Sequence, residues 1–200
     1  CQRPMAAAVG DITGNGHEDL VVACRDADGD GESSWVYWGG EGGYDNSRRT
    51  RLASMRACDV VLADLDGNGH DDVILCQNRT FESYTTESLV YRGGPDGIVG
   101  DAVRLTTEDA RRVFAAKTPN GPPSLAFANN WSRKAARGVS SYVYFGGPDG
   151  FSADRRAEVP GERAVDSLCC DINDDGYADL ILVNSSLTTI EHDSGSYVFL

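Results

Sequence analysis

Nowhere in the 200 residues do apolar side chains continue for the roughly 18–20 positions that a membrane-spanning helix needs. No charged-then-apolar leader of the signal-peptide kind opens the chain at Cys1. Basic residues are scarce: 18 Lys and Arg face 31 Asp and Glu, giving a net charge of −13 and no cationic cluster fit to neutralise phosphates. That excludes nucleic acid as a partner. Cysteine is sparse and dispersed (Cys1, Cys24, Cys58, Cys76, Cys169, Cys170), too little for a disulfide scaffold, and the absence of any CxxC pair argues against zinc. Histidine occurs three times, as His17, His70 and His192. No nucleophile motif, phosphate-cradling loop or His-rich metal site is present, so no catalytic residue is assigned and the expectation is a protein that is not an enzyme.

What the sequence has in abundance is itself. Asp11-Ile12-Thr13-Gly14-Asn15-Gly16-His17-Glu18-Asp19-Leu20, Asp64-Leu65-Asp66-Gly67-Asn68-Gly69-His70-Asp71-Asp72-Val73 and Asp171-Ile172-Asn173-Asp174-Asp175-Gly176-Tyr177-Ala178-Asp179-Leu180 are copies of one segment. They start 53 and then 107 residues apart, so a copy is missing between the second and third. Its place is taken by Ala116 to Leu125, which keeps an Asn-Gly but no carboxylate. A second marker keeps the same beat: Tyr37-Trp38-Gly39-Gly40, Tyr91-Arg92-Gly93-Gly94-Pro95-Asp96-Gly97 and Tyr144-Phe145-Gly146-Gly147-Pro148-Asp149-Gly150. Self-similarity at a fixed period signals a repeat architecture.

Each unit reads as four short strands. One apolar run precedes the loop (Val60–Ala63), another follows it (Val73–Cys76), and then come an alternating strand (Ser88–Tyr91) and a weaker one past the Gly-Gly turn (Val103–Leu105). The fold class is all-β: a β-propeller of about four four-stranded blades, expected to be a fragment of a larger ring. The repeats fall at approximately 1–53, 54–106, 107–159 and 160–200, and the last lacks its outer strand. Further blades or domains of the same polypeptide are expected. Cys24 and Cys76 read as equivalent strand positions carrying small buried thiols, and a Cys58–Cys76 disulfide stays open.

The chemistry sits in the loops. Oxygen ligands at alternate positions of a tight loop converge on one point, glycine at the sixth position permits the turn, and calcium takes six to eight such oxygens. The expected ligands are Asp11, Thr13, Asn15 and Asp19 with the carbonyl of His17; Asp64, Asp66, Asn68 and Asp72 with the carbonyl of His70; and Asp171, Asn173, Asp175 and Asp179 with the carbonyl of Tyr177. An EF-hand is ruled out, because position twelve (Val22, Leu75, Leu182) is apolar and strand-like where that motif needs a bidentate Glu. The third loop is expected to hold no ion. Asp26–Glu32 reads as a solvated hairpin tip, and the histidine side chains are expected to be exposed. Trp38 is read as a packing residue and Trp131 as the freer aromatic.

The loops Asp64–Asp72 and Asp171–Asp179, with the Tyr-x-Gly-Gly-x-x-Gly marker, resemble FG-GAP repeats, also called VCBS repeats, of integrin α-subunit heads and secreted bacterial propellers. The Tyr37–Tyr44 stretch looks more like the bacterial branch. The resemblance implies a propeller, commonly a larger ring of seven blades, that binds Ca2+ for rigidity and displays loops for adhesion or carbohydrate recognition. It implies a location outside the cytoplasm, secreted, periplasmic or on a cell surface, with a protein or carbohydrate ligand. The alternative is an accessory, carbohydrate-binding domain of a secreted hydrolytic enzyme.

Overall fold

Short apolar runs broken every few residues by Gly, Asn and Asp leave no room for a helical face, and the regular structure of the described residues is strand apart from one 3-10 turn at Ala153–Arg155. A computed structural model describes residues 1, 3–25, 33–118, 121–133, 138–185 and 195–200. Four antiparallel sheets follow one another along the sequence. The first contains β1 (Pro4–Gly10), β2 (Asp19–Cys24), β3 (Ser33–Tyr37) and β4 (Arg49–Ala53). The second contains β5 (Ala57–Ala63), β6 (Asp72–Gln77), β7 (Thr85–Arg92) and β8 (Val99–Glu108). The third contains β9 (Ala110–Thr118), β10 (Gly121–Asn129), β11 (Ser141–Phe145) and β12 (Arg156–Val159). The fourth contains β13 (Ala164–Cys170), β14 (Asp179–Asn184) and β15 (Tyr197–Phe199). In every sheet the strands lie in chain order, so each is a meander.

The sheets stack face against face, which explains the apolar runs. In β6 every residue is buried. Val73 and Leu75 pack with Val21, Val36 and Leu52 of the first sheet, whereas Ile74 and Cys76 pack with Val113, Phe127 and Tyr144 of the third. A strand sandwiched between two neighbours has no polar side, so alternation disappears. A third, smaller core joins Ala126 and Ala128 to Leu180 and Leu182. The first strands β1, β5, β9 and β13 lie successively beside one another. Equivalent positions on three of them, Asp59, Arg112 and Asp166, form an ion ladder with separations of 3.5 and 3.7 Å. First strands inside, meandering outward, in sheets packed face to face, make a partial β-propeller-like fold.

Two devices repeat between sheets. Tyr91 and Tyr144, in corresponding places on β7 and β11, each donate a hydroxyl hydrogen bond to the outer strand of the preceding sheet, Tyr91 to the Ala53 carbonyl and Tyr144 to that of Thr106 at 2.7 Å. These tyrosines, rather than Trp38, are the repeated packing aromatic; Trp38 lies against Gly97 of the second sheet and donates through Nε1 to Thr50. At the end of the second strand in sheets two, three and four, a carboxamide closes the corner that leads into the sheet's first strand. Gln77 accepts from Met55 N, Asn129 from Glu108 N at 3.1 Å, and Asn184 from Glu162 N at 3.0 Å.

The register corrects the expectation for the cysteines. Cys24 stands opposite Pro4 as Gln77 stands opposite Ala57, so the counterpart of Cys24 is Gln77 and not Cys76. A shift of one residue moves a strand side chain to the other face. Cys24 is no free thiol: it forms a disulfide with Cys1, so a covalent bond holds the corner that a carboxamide holds in the other sheets. Cys58 and Cys76 are free and buried, their sulfurs 3.8 Å apart.

Apolar side chains are exposed chiefly at the two ends of the stack. Met5 and Val9 on the first sheet and Val165, Leu168, Val183 and Val198 on the fourth are 38–53% exposed. Among the described residues no helix is long and apolar enough to cross a membrane.

Candidate functional site

The three Asp-rich segments fold as matching turns between the first and second strands of sheets one, two and four. The first carboxylate of each loop caps the turn. Asp11 accepts from the N–H groups of Asn15 and Gly16, Asp64 from Gly67, Asn68 and Gly69, and Asp171 from Asp175 and Gly176. The fifth residue does the same locally: Asn15, Asn68 and Asp175 accept from the N–H of His17, His70 and Tyr177. Glycine at the sixth position has φ of 82°, 82° and 89°, the left-handed backbone that side chains resist.

The ninth residue anchors the loop in the protein. Asp19, Asp72 and Asp179 are at most 2% exposed, and each accepts from the second residue of its loop, Ile12, Leu65 or Ile172. The other oxygens of Asp19 and Asp72 accept from Gly39 at 2.8 Å and Gly93 at 2.9 Å. Those are the first glycines of the Gly-Gly markers, so marker and loop are one structure. A Cβ on Gly39 would lie 2.0 Å from the Glu18 carbonyl, and one on Gly93 would lie 2.3 Å from that of Asp71. Only a residue without a side chain lets this N–H approach the carboxylate.

Burial pushes the Asp19 and Asp72 carboxyls up from their ordinary value, Asp72 to about 6. At Asp72 the nearby Asp66 carboxylate pushes the same way, while the Gly93 and Leu65 hydrogen bonds and Arg92 oppose it. Among the described residues no arginine or lysine pairs with Asp19, Asp72 or Asp179; the nearest recorded pair in these loops is Arg92 with Asp66 at 3.5 Å. Thr13 Oγ1, at the third position of the first loop, is buried and has no hydrogen-bond partner among the described residues. Asp66, Asn68, Asn173 and Asp175 are exposed at the loop tips. As the loops stand, backbone N–H groups take up most of the carboxylate oxygens, and among the described residues no three His, Cys, Asp or Glu side chains gather in a metal-holding group.

Loops one and two are joined, which the sequence did not suggest. Asp71 N donates to the Asp11 carbonyl, and Asp11 N donates to Asp71 Oδ2, both at 3.0 Å. The His70 ring lies against Gly14, with Nδ1 buried. His70 therefore departs from the expected exposed ring, because the next sheet's loop packs on its predecessor. Tyr177 is 64% exposed; its loop has no following neighbour.

The third segment is built differently. β9 and β10 extend through the place where the other sheets carry loops, with Ser124 opposite Ala116 and Thr118 Oγ1 donating to the carbonyls of Gly121 and Pro122. Gly146 N, the counterpart of Gly39 and Gly93, bonds the Pro123 carbonyl instead of a carboxylate. Asp26–Asp30 with Gly31 and Glu32, and His192, lie outside the described residues. Trp131 is not free: it packs on Tyr84 at 6.1 Å, and the Arg163 guanidinium lies 4.4 Å over its ring.

Residues 11–75, spanning the first two loops and the Gly-Gly marker between them, match the family model of the FG-GAP-like repeat. A search of curated proteins finds no match to the chain.

Proposed function

With an FG-GAP-like repeat over residues 11–75 in a β-propeller-type repeat module, we propose that the protein is a calcium-stabilised binding or scaffold module that works outside the cytoplasm. The observation that carries this reading is the buried ninth carboxylate. A charge taken out of water needs a counter-charge or a metal, and no basic side chain pairs with Asp19, Asp72 or Asp179 among the described residues. The donor set suits Ca2+, being all oxygen and mixing carboxylate, carboxamide, hydroxyl and carbonyl. The Thr13 hydroxyl, unpartnered among the described residues, is a further oxygen of that set.

In this reading Asp11, Thr13, Asn15 and Asp19 with the His17 carbonyl hold one ion. Asp64, Asp66, Asn68 and Asp72 with the His70 carbonyl hold a second. Asp171, Asn173, Asp175 and Asp179 with the Tyr177 carbonyl hold a third. The ion supplies positive charge that ties the first two strands of a sheet together. The Cys1–Cys24 disulfide supports a location where thiols are oxidised, and free calcium is abundant outside cells.

A ligand that binds only the folded state stabilises it, by about 2.7 kcal/mol for one site at a hundredfold excess over Kd. For a chain of this size that corresponds to roughly 5–10 °C in Tm. Removing calcium with EDTA is expected to lower Tm by at least that much, and added Ca2+, but not Mg2+, to restore it. A melting curve indifferent to EDTA would overturn the proposal.

A further inference from the structure

The loops occupy one end of the strands; the corners between sheets and the connections after the second strands occupy the other. At that opposite end a cleft of about 810 Å³ opens between sheets one and two. Arg51 and Met55 stand on one side, Thr86 and Arg104 on the other, and Asn78 and Thr80 close it. Nothing in the calcium reading uses this cleft.

Asn78 is the anomaly. It is 1% exposed, and among the described residues neither its carboxamide oxygen nor its nitrogen has a hydrogen-bond partner. Buried carboxamides are nearly always satisfied, and the corresponding residue of the third sheet shows how this fold does it. Asn130 donates to the carbonyls of Arg163 and Ala164 and accepts from Arg111. Asn78 makes none of these bonds, so no hydrogen bond opposes its rotation into the cleft that it lines.

The surroundings name a chemistry. The Thr80 and Thr86 hydroxyls and Gln77 line the cleft too; Gln77 is held by Met55 N and the Glu87 carbonyl and keeps one amide hydrogen beyond those bonds. Glu87 and Arg104 form an ion pair at 3.1 Å with both partners half-exposed, an acceptor and a donor side by side. Phe81, next in the chain to the cleft residue Thr80, is 79% exposed, and the guanidinium of Arg56, next to the cleft residue Met55, lies 4.9 Å over its ring, which orients the aromatic face. Carboxamides, hydroxyls, a neutralised ion pair and an oriented aromatic ring together match the vicinal hydroxyls and C–H faces of a sugar.

We infer that this cleft is a saccharide-binding site in which Asn78 supplies the central pair of hydrogen bonds and Phe81 the stacking surface. The inference rests on the reading of the chain as a binding module and names the class of its ligand.

The test is titration of the full chain, saturated with Ca2+, with cellohexaose, xylohexaose, mannohexaose and trigalacturonate, followed by NMR. At least one probe is expected to shift the Asn78 carboxamide resonances saturably. Phe81→Ala, a change at an exposed side chain, is expected to weaken that binding at least fivefold. Asn78→Ala is expected to weaken it at least tenfold while leaving Tm unchanged or raised, because it removes an unsatisfied buried group; Asn130→Ala should lower Tm. The inference is overturned if no probe moves Asn78, or if Phe81→Ala leaves binding unchanged. It is overturned equally if Asn78→Ala lowers Tm as far as Asn130→Ala, which would make the carboxamide structural through an ordered water, or if an acidic peptide shifts Asn78 and no saccharide does. Because calcium is saturating throughout, these outcomes are independent of the EDTA melting experiment, which tests the underlying reading.

Discussion

At the scale of single residues, the molecule depends on contacts that tolerate no substitution of size or charge. Gly93 is the sharpest case, since its missing Cβ would fall 2.3 Å from the Asp71 carbonyl and its N–H holds Asp72. Gly93→Ala must shift backbone on both sides of the second loop, and a drop in Tm of roughly 5 °C or more is expected. Differential scanning calorimetry in saturating calcium checks this, with Gly42→Ala, where a Cβ meets open space, as the benign comparison. Asp59 gives a prediction in pH. Burial raises its carboxyl above the ordinary 3.8, against the Val113 hydrogen bond and the Arg112 charge. The folded state therefore holds that proton more tightly than the unfolded state. The stability so gained is full below the ordinary value and is lost as pH climbs through the raised one. Relative to the parent, Asp59→Asn is expected to gain Tm as pH rises from the ordinary carboxylate value through the raised one and to level off above it; a difference that stays flat throughout or shrinks contradicts the assignment.

At the scale of strands and corners, carboxamides act as latches. Asn129→Ala leaves Glu108 N–H buried without an acceptor and is expected to cost about 1–3 kcal/mol. Urea unfolding with an unchanged slope and a lower midpoint is the expected signature. This latch was not legible in the sequence. Gln77, Asn129 and Asn184 differ in side-chain length or spacing, and the first sheet puts Cys24 in their place, so no common letter marked the position. Cys24 and Cys76 look equivalent in the sequence but lie one residue out of register, which puts them on opposite faces of their sheets. By contrast, the strands, their meandering order and the divergent third loop were readable, because loop and Gly-Gly marker recur with nearly constant spacing and fix the register between them. The loops themselves were visible from Asp, Asn and Gly at alternate positions. Their mutual contact was not: Asp71 and His70 look like ordinary variable positions until the neighbouring sheet brings Asp11 and Gly14 against them.

At the scale of the whole molecule, four sheets are joined between their faces by three cores; Asp59, Arg112 and Asp166 tie the first strands of sheets two, three and four, and Tyr91 and Tyr144 tie sheets two and three to the outer strands before them. Two kinds of end result. One carries the three acidic loops, where much of the formal −13 charge is concentrated in short turns; the other carries the corners and the Asn78 cleft. The proposed division of labour assigns calcium to rigidity at the first end and recognition to the second. Its most direct test is the number of ions held per chain, measured by equilibrium titration of decalcified protein and by metal analysis after gel filtration. Three Ca2+ per chain are expected, falling to two in Asp72→Ala and remaining three when Thr118 is replaced by Ala in the divergent third segment. A chain that binds no calcium, or whose count is unchanged by Asp72→Ala, would contradict the central claim.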